Sequence, residues 1–257
     1  FYLASELLDN GYTVVGTTHR ADVPHSWLDA SIALERLDSW DAGRMGDLVR
    51  RYRPRVVFNL AARASSAQLF DDPVASAHVN GLSVMHWLET LRTVAPDVRF
   101  VQASSCEVFA GTSESPQRET TAYVPRSAYG AAKAFADHCV AAYRATHRLR
   151  CSSAILYPHE SPRRGEHFLV KKVVRAAAEF SRGRREPLVL GDLESVRDWG
   201  YAGDHMRAMF AMGEADQDFD YIVATGVGHS VRDVCAFAFE AVGLDYRTHV
   251  TTDPSLM

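Results

Sequence analysis

The chain has 257 residues, 47% hydrophobic and 23% charged, with a formal net charge of −4. That length buries a substantial core, as one large domain or a major and a minor one, and the charge gives no electrostatic case for nucleic acid or an anionic membrane as partner. The longest apolar runs are far too short to span a bilayer. Cys106, Cys139, Cys151 and Cys235 show no Cys-x-x-Cys spacing, so neither a zinc site nor a disulfide framework is indicated, and a reducing cytoplasm is the expected compartment. The eleven histidines include no His-Glu-x-x-His, and no metal is assigned.

The chain opens on F-Y-L-A-S-E-L-L-D-N-G-Y-T-V-V-G. Leu3, Leu7 and Leu8 form an apolar helix face, Gly11 is a C-terminal stop, and Thr13–Val15 reads as a strand. A helix followed by a strand is the second half of a βαβ unit. Its first half, a strand and a glycine-rich pyrophosphate loop, is expected before Phe1. The strand leads into Gly16-Thr17-Thr18-His19-Arg20, with no carboxylate before Asp22. Dinucleotide folds for NAD place an acid here and those for NADP a cation, so Arg20 favours NADP. A solvated loop arginine is the plain alternative.

Met45–Tyr52 reads as a helix, and Pro54 forces an extended entry into a strand over Val56–Leu60. The Ala61-Ala62-Arg63 turn after it is small enough for a cofactor to approach backbone. Asp72-Pro73 opens a helical stretch to about Ala95, whose apolar positions Val79, Leu82, Met85, Leu88 and Leu91 are read as core. Asn80 lies on another face. Val98–Val101 is an apolar, β-prone run ending at Ala103-Ser104, the pattern of a buried parallel strand. Ser105 and Glu107 stand at its carboxyl end, where open α/β sheets hold their ligands.

Tyr129 and Lys133 follow in P-R-S-A-Y-G-A-A-K, one turn apart on a predicted helix over Tyr129–Thr146. A free phenol, with a pKa near ~10, is a weak base at neutral pH, and a neighbouring ammonium is expected to lower that value. With Ser105 on the same substrate oxygen, the group suits removal of an alcohol proton as a hydride leaves the adjoining carbon. Cys151–Leu156 and Leu188–Leu190 read as strands, as does Tyr221–Thr225. Pro158 and Pro162 fix an irregular loop between the first two. Ser230 precedes a helix with Arg232 in its first turn, where a cation is electrostatically unfavourable unless an anion lies nearby.

These segments together carry a resemblance. N-L-A-A at Asn59–Ala62, S-C-E at Ser105–Glu107, P-R-S-A-Y-G-A-A-K, H-E-S-P-R-R-G at His159–Gly165, R-D-W-G at Arg197–Gly200 and A-T-G-V-G-H-S-V-R at Ala224–Arg232 stand in this order along nearly the whole chain. The chain resembles the extended short-chain dehydrogenase/reductase superfamily and, within it, the GDP-mannose 4,6-dehydratase family. H-E-S-P-R-R-G is the most discriminating segment.

The resemblance implies a Rossmann-like, doubly wound parallel sheet of the α/β class. A dinucleotide-binding part over residues 1–156 would carry the catalytic groups, and residues 157–257 would mainly bind the sugar nucleotide, with some segments returning to the first part. It implies catalytic roles for Ser105, Glu107, Tyr129 and Lys133. NADP would be bound by Arg20, Asp38, Ser39, Leu60, Ala61, Ala62, Arg63, Tyr129, Lys133, His159 and Arg164, the last two in their own or a neighbouring subunit of a homo-oligomer. Lys172, Arg197 and Arg232 would bind a nucleotide-sugar substrate, with Asp198 and Trp199 shaping the turn. The family pattern also continues beyond D-P-S-L-M.

Departures from the family pattern are Cys106 for a serine, read as buried and inert, Ala64 and Ser65 for a Ser-His pair, and Pro158 for an asparagine. A sugar-nucleotide decarboxylase, a simple epimerase or reductase, and a non-catalytic nucleotide-binding protein remain as alternatives. Glu107 weighs against the second, because elimination needs a carboxyl group and epimerisation does not.

Overall fold

The computed structural model describes residues 1–20, 28–64 and 72–256. Helix α1 (Tyr2–Asp9) buries Leu3 and Leu7, and Gly11 follows its cap at φ +79°, a turn open to a residue without Cβ. Strand β1 (Val15–Thr18) pairs in parallel with β2 (Ala33–Arg36), from Val15 opposite Ala33 to Thr18 opposite Arg36. This corrects the expected Thr13–Val15. The β-branched Thr17 and Thr18 carry the ladder past Gly16, so His19 and Arg20 stand directly at the strand's end.

Helix α2 (Ala42–Tyr52) starts before the apolar periodicity does, because the Asp41 side chain accepts from the Arg44 amide at 2.8 Å. Strand β3 (Val56–Asn59) stops one residue short of Leu60. Asp72 caps α3 (Pro73–Ala77), which runs through a π-helical turn, His78–Leu82, into α4 (Ser83–Val94). Strand β4 (Arg99–Ala103) is buried at every position. Helix α5 (Ala128–His147) is capped by Ser127, whose side chain accepts from the Gly130 amide at 3.0 Å. Strand β5 (Cys151–Leu156) occupies the predicted span.

Next come β6 (His159–Glu160), α6 (Leu169–Phe180), β7 (Leu188–Leu190), β8 (Val196–Arg197) and β9 (Gly200–Tyr201). Helix α7 (Ala202–Glu214) and β10 (Tyr221–Val223) follow, then β11 (His229–Ser230), α8 (Val231–Glu240) and β12 (Val250–Thr252).

Two compact units result. The first is Phe1–Tyr157 with Gly203–Val223, and the second is Pro158–Ala202 with Ala224–Met257. In the first, four parallel strands stand in the order β10-β5-β4-β3. Both faces are covered, as a parallel sheet requires. On one, Phe100 packs with Met45, Leu48, Val84, Leu88 and Val140 from α2, α4 and α5. On the other, Val101 and Ala103 pack with Leu3, Leu7, Met206 and Met209 from α1 and α7. Full burial of side chains such as Leu88 and Phe100 is worth ~1.5–3 kcal/mol each.

Arg99 interrupts this apolar strand yet is only 3% exposed. Its Nη1 donates to the carbonyls of Met212 and Gly213 at 3.1 and 3.2 Å, capping α7, and its Nε pairs with Asp218 at 3.2 Å. The second unit has its own core, with α6, β7 and α8 meeting at Val173, Phe180, Leu188, Cys235 and Phe239. Among the described residues, no helix is long and apolar enough to cross a membrane.

Candidate active site

Strand β4 ends at Ala103, and the chain turns through Ser104 into a single 3₁₀ turn, Cys106–Phe109. Ser105 caps that turn, its hydroxyl accepting from the Glu107 amide at 3.3 Å. The amino end of α5 lies against the turn so closely that a Cβ on Gly130 would sit 2.8 Å from the Glu107 carbonyl oxygen. This approach brings Tyr129, 8% exposed, to Ser105 and Glu107. Ser105 hydrogen-bonds the phenol, and the Glu107 charge acts on it. Lys133, 1% exposed, lies one turn along, with its Nζ 5.8 Å from the Tyr129 ring centroid.

The electrostatics differ from the expectation. Burial pushes the Tyr129 phenol up to about 12, against the lowering effect of the Ser105 hydrogen bond. Charge at Cys106, Glu107 and Asp137 adds to the rise. Lys133 does not reverse it, because its ammonium donates instead to the Ala103 carbonyl at 2.7 Å and is itself drawn down by burial to about 8. The chain's own groups therefore leave Tyr129 a neutral phenol at pH 7. Cys106, expected to be buried, is half-buried beside this group.

The proposed cofactor edge is built from loops at strand ends. Arg20 is exposed beyond β1, and Asp22 lies outside the described residues. Asp38 is exposed beyond β2 and accepts from the Trp40 amide at 3.2 Å, closing a turn around the half-buried Ser39. Leu60, Ala61, Ala62 and Arg63 are all exposed beyond β3, while Ser65 lies outside the described residues. Asn80, fully buried in the π-helical turn, fixes this loop. Its amide donates to the Arg63 carbonyl and accepts from the Arg63 amide, both at 3.2 Å. π-Helical turns inside α-helices are frequent at functional sites. Among the described residues, no group of three or more His, Cys, Asp or Glu is placed to hold a metal.

In the second unit, the side chains expected to meet substrate or cofactor have intramolecular partners. His159 lies in β6 opposite Gly200. Arg164 lies over the Phe168 ring, 3.3 Å from its centroid, and pairs with Glu160 at 3.3 Å. Lys172 donates to the Val189 carbonyl at 3.0 Å. Arg197 is exposed and donates to the Val196 carbonyl at 2.8 Å. The β8–β11 ladder places it opposite His229, three residues before Arg232. Arg232 pairs with Glu194 and donates to the Tyr246 hydroxyl at 3.1 Å. Asp198 shapes its turn as expected, accepting from the Thr225 amide, the Thr225 hydroxyl and the Gly226 amide at 3.0, 2.7 and 2.7 Å.

The family model described as GDP-mannose 4,6 dehydratase matches residues 1–255. The chain belongs to the GDP-mannose 4,6-dehydratase family. The GDP-mannose 4,6-dehydratase of Sinorhizobium fredii is 37% identical over 256 residues, covering 95% of this chain and 73% of that protein. The human GDP-mannose 4,6 dehydratase is 34% identical, covering 94% and 69%. Among solved structures, the Thermus thermophilus UDP-glucose 4-epimerase complex with NAD superposes with a TM-score of 0.84 at 27% identity, covering 97% of this chain and 81% of that one. The α/β dinucleotide fold of that enzyme is the fold of this chain.

Within this dehydratase-family site, three buried polar residues escaped the sequence reading. Gln102 is fully buried, accepts from the Asn59 amide at 2.8 Å and donates to the Ala103 carbonyl at 2.7 Å. Asn59 also accepts from the Ala61 amide at 3.3 Å. Asp137, 3% exposed, accepts from the Ser104 hydroxyl at 2.5 Å. Each left a signal: a lone amide in an apolar strand, an asparagine at a strand end, and a carboxylate one turn beyond a lysine.

Proposed function

We propose that this chain dehydrates a nucleotide hexose, GDP-mannose foremost, to its 4-keto-6-deoxy derivative with NADP as redox partner. The reading is carried by the meeting of Ser105, Glu107 and Tyr129 at the end of β4 with Lys133 one turn behind. Family membership supplies the reaction, and the NAD complex of the Thermus relative supports a nicotinamide cofactor. The exposed Leu60–Arg63 loop fits such a group, since its two alanines leave backbone open to a dinucleotide. The residues before Pro158 hold the cofactor and the chemistry in this reading. Those after it mainly bind the sugar nucleotide, with Lys172, Arg197 and Arg232 on its anionic part and His159 and Arg164 on the dinucleotide.

A bound nicotinamide, held by the Leu60–Arg63 loop and Lys133, would supply the hydride acceptor for C4 and the hydride donor for C6. Tyr129, a neutral phenol when only the chain's own groups act on it, would serve as phenolate once the positive charge of the bound cofactor adds to that of Lys133, and in that form it takes the proton of the 4-hydroxyl while Ser105 holds that oxygen. Lys133 supplies positive charge behind the phenol and, with Asp38, Ser39 and the Leu60–Arg63 loop, orients the cofactor. The C4 ketone acidifies the C5 hydrogen. Glu107 takes that proton and passes it to the 6-hydroxyl, which leaves as water, and the proton held at Tyr129 balances the one that C5 regains as hydride reaches C6. Arg20 at the end of β1 selects the 2′-phosphate of NADP, for which a guanidinium fork is suited. Self-association and a cytoplasmic setting belong to the same reading, the latter resting on four free cysteines.

The test is incubation of the protein with GDP-mannose, GDP-glucose and UDP-glucose, each with NADP or NAD, and mass spectrometry of the products. Loss of one water with NADP and GDP-mannose is expected. Glu107→Gln should stop that loss yet permit C4 oxidation. A product of unchanged mass from the unaltered protein, or full dehydration by the Gln variant, would overturn the reading.

A further inference from the structure

One charged group buried in the first unit takes no part in the proton transfers above. Asp137 stands on α5 one turn beyond Lys133 and two beyond Tyr129, on the same face. Its Oδ2 accepts from Ser104 Oγ at 2.5 Å. Ser104 follows Ala103, whose carbonyl holds Lys133, and precedes Ser105. Helix α5 thus grips the end of β4 at two successive residues, Lys133 on Ala103 and Asp137 on Ser104.

The groups facing Asp137 come from every neighbouring element. They are Lys133 and Tyr129 on α5, Ser104 after β4, Ser153 on β5, Tyr123 before α5 and Asp220 before β10. Asp220 is committed elsewhere. It takes a bidentate pair from Arg144 at 2.9 and 2.6 Å and accepts from the Ser153 amide at 2.7 Å. Lys133 is then the cation on Asp137's own helix face. Burial pulls the Lys133 ammonium down and pushes the Asp137 carboxyl up to about 6, and each charge opposes the shift of the other.

We propose that Asp137 is a positioning residue of this site, whose carboxylate, one turn along α5 from Lys133, favours the charged form of that ammonium and, through its hydrogen bond with Ser104, fixes the strand end that carries Ser105. The inference rests on the dehydratase reading for its consequence in turnover, but the Lys133–Asp137 coupling is measurable without turnover.

The chain contains three lysines, Lys133, Lys171 and Lys172, so NMR of protein carrying ¹³C-labelled lysine resolves the buried one, assigned with Lys133→Arg. Asp137→Asn keeps an acceptor for Ser104 and removes the charge. Its Lys133 midpoint should fall by about one pH unit or more, with Lys171 and Lys172 unmoved. The alkaline limb of kcat should move down equally while KM stays constant. An unmoved Lys133 midpoint overturns the proposal. Should Asp137→Asn fail to fold, the Lys133 signal of the unaltered protein must show a step as Asp137 titrates near about 6, and a flat signal there overturns it equally. A shifted Lys133 in a protein whose unaltered form releases no dehydrated sugar sinks the dehydratase reading and leaves the coupling standing.

Discussion

Lys133 and Gln102 share one acceptor: the ammonium and the side-chain amide each donate to the Ala103 carbonyl oxygen at 2.7 Å. Through Gln102 and Asn59 the contact continues to the Ala61 amide, so the proposed catalytic lysine and the proposed cofactor loop hang on one chain of hydrogen bonds. Gln102→Leu would leave the Asn59 amide buried without its partner, a loss of about 1–3 kcal/mol. Thermal unfolding should show a midpoint lower by ~2–4 °C per kcal/mol. NADP affinity should fall with it in equilibrium titration. An unchanged midpoint and affinity would dismiss the chain as incidental.

Lys133 is charged below about 8 and neutral above it. Loss of its proton removes the positive charge behind a phenol that burial already holds neutral, so kcat should decline as pH rises through about 8. Lys133→Arg keeps a charge that does not titrate. It also misplaces the donor, and turnover should drop by ~10²-fold or more. What remains should be flat where the unaltered protein declines. An identical alkaline fall in both would assign the titration to another group.

Gly130 sets two effects against each other. Alanine would gain ~1 kcal/mol in helix propensity, but its Cβ would stand 2.8 Å from the Glu107 carbonyl oxygen and 3.1 Å from the Pro125 Cβ. Backbone must shift to admit it, and such overpacking costs ~1–3 kcal/mol. We expect Gly130→Ala to lower stability slightly and kcat by ~10-fold or more, because the displaced segment carries Ser105 and Glu107. Wild-type kcat in this variant would show that the approach is not needed for catalysis.

Asp198 joins the turn before β9 to the turn after β10 within the second unit's own residues, taking all three hydrogen bonds from Thr225 and Gly226. Asp198→Ala should cost about 1–2 kcal/mol, since these bonds are partly solvated. Hydrogen exchange should accelerate at the Thr225 and Gly226 amides before it does elsewhere. Unaltered protection there would mean that the turn is set by the flanking β8–β11 ladder.

What the sequence by itself determined is local. The span of β5, the helix start at Asp72-Pro73, the Gly11 stop and the shared face of Tyr129 and Lys133 follow from periodicity and capping chemistry, which act within a few residues. The motifs that mark the family are equally local. What only tertiary structure decided is the environment those residues meet. The Tyr129 phenol rises rather than falls because burial outweighs a lysine whose ammonium is bound to a carbonyl 30 residues away. Gln102, Asn59 and Asp137 join the site through partners contributed by other strands and helices. Charge, solvation and hydrogen-bond partnership depend on which segments pack together, and no window of sequence contains that information.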